Sequence, residues 1–173
     1  LMSPNYKVKT KEIDGIKISN YYMLNEYSSK ETADMVLDEV VKTVKFMNET
    51  VGKYAYDELR IVETNLAGGA MEYPQVIQMP WYSDLEDLNI DEYAPFIIEA
   101  AVHETMHQWR YVGVGNNEFK EPFLDESLTV FMTAYYFEKQ YDEYHQNGVN
   151  YQIRNYFSPS INKALNTAVK DFS

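Results

Sequence analysis

The sequence predicts an α+β fold: a small twisted sheet, mixed or antiparallel, packed on several helices. Three observations predict it. Short alternating runs bounded by turn signals fill residues 5–27 and 59–80. Apolar residues recur at helical spacing over 29–50, 91–111 and 121–145. And 173 residues, 45% of them hydrophobic, are enough for one domain with a real core or for two small subdomains around a cleft. The sheet and one helix fall in residues 1–90, the remaining helices in 91–173. No repeat, low-complexity tract or linker divides the chain.

Taken in order, Lys7-Val8-Lys9 alternates, Asp14-Gly15 supplies a hairpin turn, and Ile16-Lys17-Ile18 alternates again. Ser28 followed by Glu31 reads as a capping box. Behind it Met35, Val36, Val40, Val41, Val44 and Met47 mark one face of a helix that Gly52 ends. Leu59 to Thr64 is the strongest strand. Gly68-Gly69 then leads into an alternating run over 69–79, which Pro74 and Pro80 mark as an edge strand, because proline cannot donate to a ladder. An edge strand can pair with an extended peptide or simply be an edge with a solvated Glu72.

Asn89 or Asp91 caps a helix through Phe96, Ile97, Ala100, Ala101, Val102, Met106 and Trp109, and Val112 to Asn117 breaks it. Pro122 sits in the first turn of the next helix, which is apolar on several sides. Asp125 and Glu126 fall in that apolar first turn. Two carboxylates there are costly unless charge-paired, hydrogen-bonded, supported by the helix terminus or bound to a metal. Ser158-Pro159 opens a short closing helix.

Composition narrows the function classes. Fifteen basic against 27 acidic residues give a net charge of −12, which disfavours nucleic acid and anionic membranes and favours a cationic ligand. With no cysteine, disulfides, thiolate metal sites and cysteine nucleophiles are excluded. No apolar run is long enough to span a membrane. Sixteen tyrosines point to half-buried surfaces and a cleft rim as much as to a dry core. The opening Leu1-Met2-Ser3-Pro4 reads as the start of a piece of a longer protein, so the compartment stays open.

The chemistry concentrates at His103-Glu104-Thr105-Met106-His107. Residues four apart on a helix share a face, so both imidazoles can reach one Zn²⁺, with Glu104 beside it as a base. Two of the chain's three histidines fall in this pattern. The bland alternative, a pair of satisfied core histidines, needs partners for both rings and for Glu104. The remaining one, His145, lies among polar residues and reads as a surface side chain. Catalytic zinc normally takes three protein ligands, so a third must come from elsewhere.

Eighteen residues separate His107 from Glu126. H-E-x-x-H, eighteen residues, then Glu resembles the zinc signature of the aminopeptidase N (membrane alanyl aminopeptidase) family of gluzincins. Gly69-Ala70-Met71-Glu72-Tyr73 is similar to that family's G-A-M-E-N motif, and Phe123 to Thr129 to its W-L-N-E-G-F-A segment. The three motifs cover residues 59–135. The resemblance implies a thermolysin-like (zincin) catalytic core, with one Zn²⁺ per chain held by His103, His107 and Glu126, and Glu104 as general base. It implies that Glu72 binds the free α-amino group of a peptide substrate, with Gly69 and Ala70 where backbone groups approach it.

The implied activity is removal of amino-terminal residues from peptides. Tyr73, Asp125 and Ser127 depart from the family's pattern without removing a ligand. The family's transition-state tyrosine is expected beyond Ser173, and its flanking amino-terminal β and carboxy-terminal helical domains are not matched. The chain thus reads as part of a catalytic domain, weakly active or inactive alone. A zinc endopeptidase, in which Glu72 has no amine to bind, and a non-catalytic peptide-binding module are the alternatives.

Overall fold

The computed structural model describes residues 3–25, 28–66, 69–80, 90–110, 112–115, 117 and 120–141, with the backbone alone over 90–96. The fold is α+β, and the chain forms two units, Leu1–Gln108 and Trp109–Ser173.

In the first unit five strands form one mixed sheet: β1 (Lys7–Ile13), β2 (Ile16–Tyr22), β3 (Glu58–Thr64), β4 (Met71–Tyr73) and β5 (Val76–Pro80), in the order β1-β2-β3-β5-β4. The inner pairs β2–β3 and β3–β5 are parallel, and the outer pairs are antiparallel. The hairpin expected at Asp14-Gly15 is present. Ile13 pairs with Ile16, and the two turn residues have φ of 53° and 79°, left-handed values that asparagine-like residues and glycine accept most readily.

Parallel pairing of β2 with β3 requires a crossover, supplied by α1 (Lys30–Thr50). Its residues Val36, Leu37, Val40, Val44 and Met47 are buried, as their spacing predicts. Each such side chain contributes on the order of 2 kcal/mol by leaving water. Helix α1 packs on β1 and β2, and Ile18, Leu59, Ile61, Ile77 and Met79 of the sheet are fully buried. On the same side, edge-strand Lys9 and Lys11 pair with Asp34 and Asp38, one turn apart on α1. Lysines on an outer strand also discourage edge-to-edge association.

The expected capping box is displaced by one residue. Ser29, not Ser28, is the N-cap, and its hydroxyl accepts from the Thr32 amide at 3.1 Å. Ser28 is drawn away because its hydroxyl donates to buried Glu63 on β3. The C-terminus behaves as its glycine predicts: the Gly52 amide, at φ 144°, donates to the Met47 carbonyl.

The single edge strand expected over 69–79 is instead a short hairpin. Pro74 lies in the turn rather than in a ladder, and Gln75 takes a left-handed φ of 63°. Only β4 is at the edge, while β5 lies between β3 and β4. Alternation looked continuous because Tyr73 and Val76 pair across the turn, so the strand signal resumes almost at once.

The helix expected over 91–111 is α2 (Ile90–Met106), which packs on α1, β4 and β5. Ile97, Ala101, Val102 and Met106 are buried on it. Beyond Met106 the backbone tightens: the Gln108 amide bonds the Thr105 carbonyl at 3.1 Å, a three-residue turn. The expected helix therefore stops five residues early.

In the second unit, α3 (Pro122–Gln140) has proline in its first turn. Asp125, Thr129, Thr133, Tyr136 and Phe137 form its buried face. It ends before the expected 145, with the Tyr141 amide bonded to the Phe137 carbonyl. His145, residues 81–89 including the expected cap Asn89, and the expected closing helix lie outside the described residues. Among the described residues no helix is long and apolar enough to cross a membrane.

Candidate metal centre

His103 lies in the last turn of α2 and His107 just past its end; the His107 amide bonds the His103 carbonyl at 3.4 Å, which keeps the two one turn apart. Their Nε2 atoms are 3.1 Å apart, and the rings meet edge to face with centroids at 4.8 Å. Two ring nitrogens at this distance either share one proton or direct both lone pairs at a common cation. In a tetrahedral zinc site with Zn–N near 2.0–2.1 Å, two nitrogens stand about 3.3–3.4 Å apart. The pair thus fits the metal to within a few tenths of an ångström. His107 is buried and His103 half-buried, so one imidazole is fixed in the core while the other borders solvent.

Glu104 follows His103 and is only 7% exposed. A carboxylate this deep is held by the rigid helix and shielded from bulk water, which strengthens its interaction with any nearby cation.

Strand β4 brings Glu72 to the same region. Glu72 pairs with Ile77, so it shares the sheet face on which the helices pack, whereas its neighbours Met71 and Tyr73 are exposed. A Glu72 carboxylate oxygen lies within 4.8 Å of a His107 ring nitrogen. Gly69, at φ 140°, opens the turn into β4, and Ala70 is half-exposed beside it. Four residues named from sequence, His103, Glu104, His107 and Glu72, are therefore gathered where α2 meets the sheet edge.

Glu126 lies in the second unit, half-buried just after the first turn of α3, and its neighbour Asp125, within that turn, is 2% exposed. Of the two carboxylates expected in a buried first turn, Asp125 is buried there and Glu126 is half-buried beyond it.

Sequence reasoning did not single out Gln108. It is buried, and its amide joins α2 to the β4–β5 turn: Nε2 donates to the Tyr73 carbonyl at 3.0 Å, and Oε1 accepts from the Gln75 amide at 3.0 Å. The Tyr54 hydroxyl reaches the same Oε1 at 3.3 Å and the Glu58 carbonyl at 3.2 Å. Burial, and next the electrostatic influence of Tyr56, pushes the Tyr54 phenol well above its ordinary range, with Arg60 opposing, so it remains a neutral donor. The available signal was a polar residue placed directly after a motif on an apolar helix.

Comparison with solved structures places this architecture. The fold is that of M1 zinc metallopeptidases. The M1 zinc metallopeptidase from Deinococcus radiodurans matches 92% of this chain with a TM-score of 0.62 at 13% identity, and the match covers 34% of that enzyme. Aminopeptidase A from Legionella pneumophila, solved with aspartic acid, matches 78% of this chain with a TM-score of 0.63 at 16% identity, over 17% of its own length. The chain spans about a third or less of these proteins. No family model matches the sequence, and no curated protein does.

Proposed function

We propose that the chain is the zinc-binding part of a metallo-aminopeptidase with a thermolysin-like core, acting on peptides with a free amino terminus. The observation that carries this reading is the histidine pair, with Nε2 atoms 3.1 Å apart and buried Glu104 beside it. The fold shared with M1 zinc metallopeptidases supports it.

His103, His107 and Glu126 would hold one Zn²⁺ per chain; two imidazoles and one carboxylate are a common catalytic donor set for this ion. When bound, zinc polarises a carbonyl and makes a water acidic near neutral pH. Glu104 would serve as general base for the attacking water and would return the proton to the departing amine. Glu72 binds the substrate's α-ammonium group. Its fixed place on β4, close to His107, sets how far the scissile bond lies from the amino terminus, so cleavage stops after one residue. Gly69 and Ala70 lie at the turn where substrate backbone approaches. The chain's net charge of −12 favours such a cationic ligand.

The test compares a short peptide bearing a free amino terminus with its acetylated form, using the zinc-loaded chain. The expected result is slow cleavage, and of the free peptide alone. Glu104→Gln should retain zinc and lose turnover by roughly 10²–10⁴-fold, the usual worth of a general base. Equal cleavage of the acetylated peptide would make the chain an endopeptidase. Peptide binding without turnover, equal in parent and Glu104→Gln, would make it a binding module.

A further inference from the structure

We propose that Gln108 is a positioning residue that sets where Glu72 stands relative to the histidine pair. The inference rests on the aminopeptidase reading and deepens it. Strand β4 has only three residues and one ladder partner, β5, so backbone pairing alone holds it weakly. The turn that leads out of it includes Gln75 at φ 63°, an unfavourable conformation for a residue that is not glycine. Something else must fix this edge, and the side chain of Gln108 supplies it.

The Gln108 amide grips the turn on both sides of Pro74. It donates to the carbonyl of residue 73 and accepts from the amide of residue 75, both at 3.0 Å. It thereby acts as one more peptide unit of the ladder, supplied from the turn that follows α2. Gln108 is joined by a peptide bond to His107, and Tyr73 likewise to Glu72. Two hydrogen bonds thus tie the backbone next to a putting-in-place carboxylate to the backbone next to a histidine of the pair. The carbonyl of Gln75 also accepts from the Arg60 amide at 2.9 Å, anchoring the turn to β3. Tyr54, kept protonated by its burial, steadies Oε1 from the other side.

Only glutamine fits these demands. An ionised glutamate has no donor for the Tyr73 carbonyl, asparagine is one methylene too short, and leucine offers neither group. Loss of the clasp would leave the part-buried Tyr73 carbonyl and Gln75 amide without this partner, and β4 would move. The histidines would stay, His103 held by α2 and buried His107 by its amide bond to the His103 carbonyl.

The test uses Gln108→Glu and Gln108→Leu in the zinc-loaded chain and needs no turnover. Calorimetry measures the affinity for leucinamide and for N-acetyl-leucinamide; chelator competition measures zinc affinity; hydrogen exchange follows the Gln75 amide. The expected result is a preference for the free amine reduced about tenfold or more in both variants. Gln75 exchange should quicken by a similar factor, with β3 amides unchanged and zinc affinity within about threefold of the parent.

Variants that keep the parent's amine preference would overturn the inference alone. So would a loss of zinc affinity as large as the loss of amine preference, since that marks general damage to the core. A parent chain with no preference for the free amine would refute the aminopeptidase reading, and this inference with it.

Discussion

Glu63 should make the chain less stable as pH rises through neutrality, opposite to the behaviour of most carboxylates. It lies on β3 among Leu59, Ile61 and Met79, with no exposed surface. Its Oε2 accepts from the Ser28 hydroxyl, while Oε1 has no hydrogen-bond partner among the described residues. Burial raises its pKa from 4.5 to about 7, against the opposing hydrogen bonds of Ser28 and the Met23 backbone. The folded state therefore holds this proton more tightly than the unfolded state. Its contribution is fully present below pH 4.5 and is lost as pH rises to about 7. At 1.36 kcal/mol per tenfold change in proton affinity, the swing is about 3 kcal/mol.

Urea unfolding of the parent and of Glu63→Gln, at half-unit steps from pH 4.5 to 8, isolates this term. Other titrating groups are common to both proteins and largely cancel in the difference. Glutamine keeps an oxygen for Ser28 and cannot ionise, so the difference curve should move by about 3 kcal/mol in the variant's favour across this range. Its unmatched N–H groups lower the whole curve without changing its slope. A flat difference curve would refute the reasoning and show that Glu63 stays charged, or gains water, in the folded chain.

Two further substitutions test local structure. Ser29→Ala removes the oxygen that caps α1 and should cost about 1 kcal/mol in chemical unfolding, whereas the same change at Ser28 should leave the helix terminus intact. Gly113→Ala places a methyl 2.6 Å from the Trp109 backbone carbonyl oxygen, a contact that backbone must yield to relieve. Its thermal midpoint should fall, with a cost of about 1–3 kcal/mol.

The sequence showed most clearly what local periodicity and spacing determine. The Asp14-Gly15 hairpin, the buried stripe of α1 and the shared face of His103 and His107 follow from turn chemistry and from helical geometry. The errors arose where a distant residue decided the outcome. Ser28 is diverted from capping by Glu63, thirty-five residues away. Pro74 breaks the run over 69–79 because the turn there is clasped by Gln108, which only folding brings near. The early end of α2 belongs to the same contact, since tightening after Met106 directs Gln108 to that turn. Glu72 was singled out by its motif, while its orientation required the pairing with Ile77.

The central claim is that three side chains, His103, His107 and Glu126, hold one zinc. Elemental analysis of the purified chain after zinc loading and removal of excess, alongside Glu126→Ala, tests it most directly. The expected result is one zinc per parent chain. In Glu126→Ala the affinity should fall by more than about a hundredfold, beyond the usual cost of losing an outer partner of a ligand. A parent that retains no zinc, or a Glu126→Ala chain that binds it as tightly as the parent, would contradict the claim.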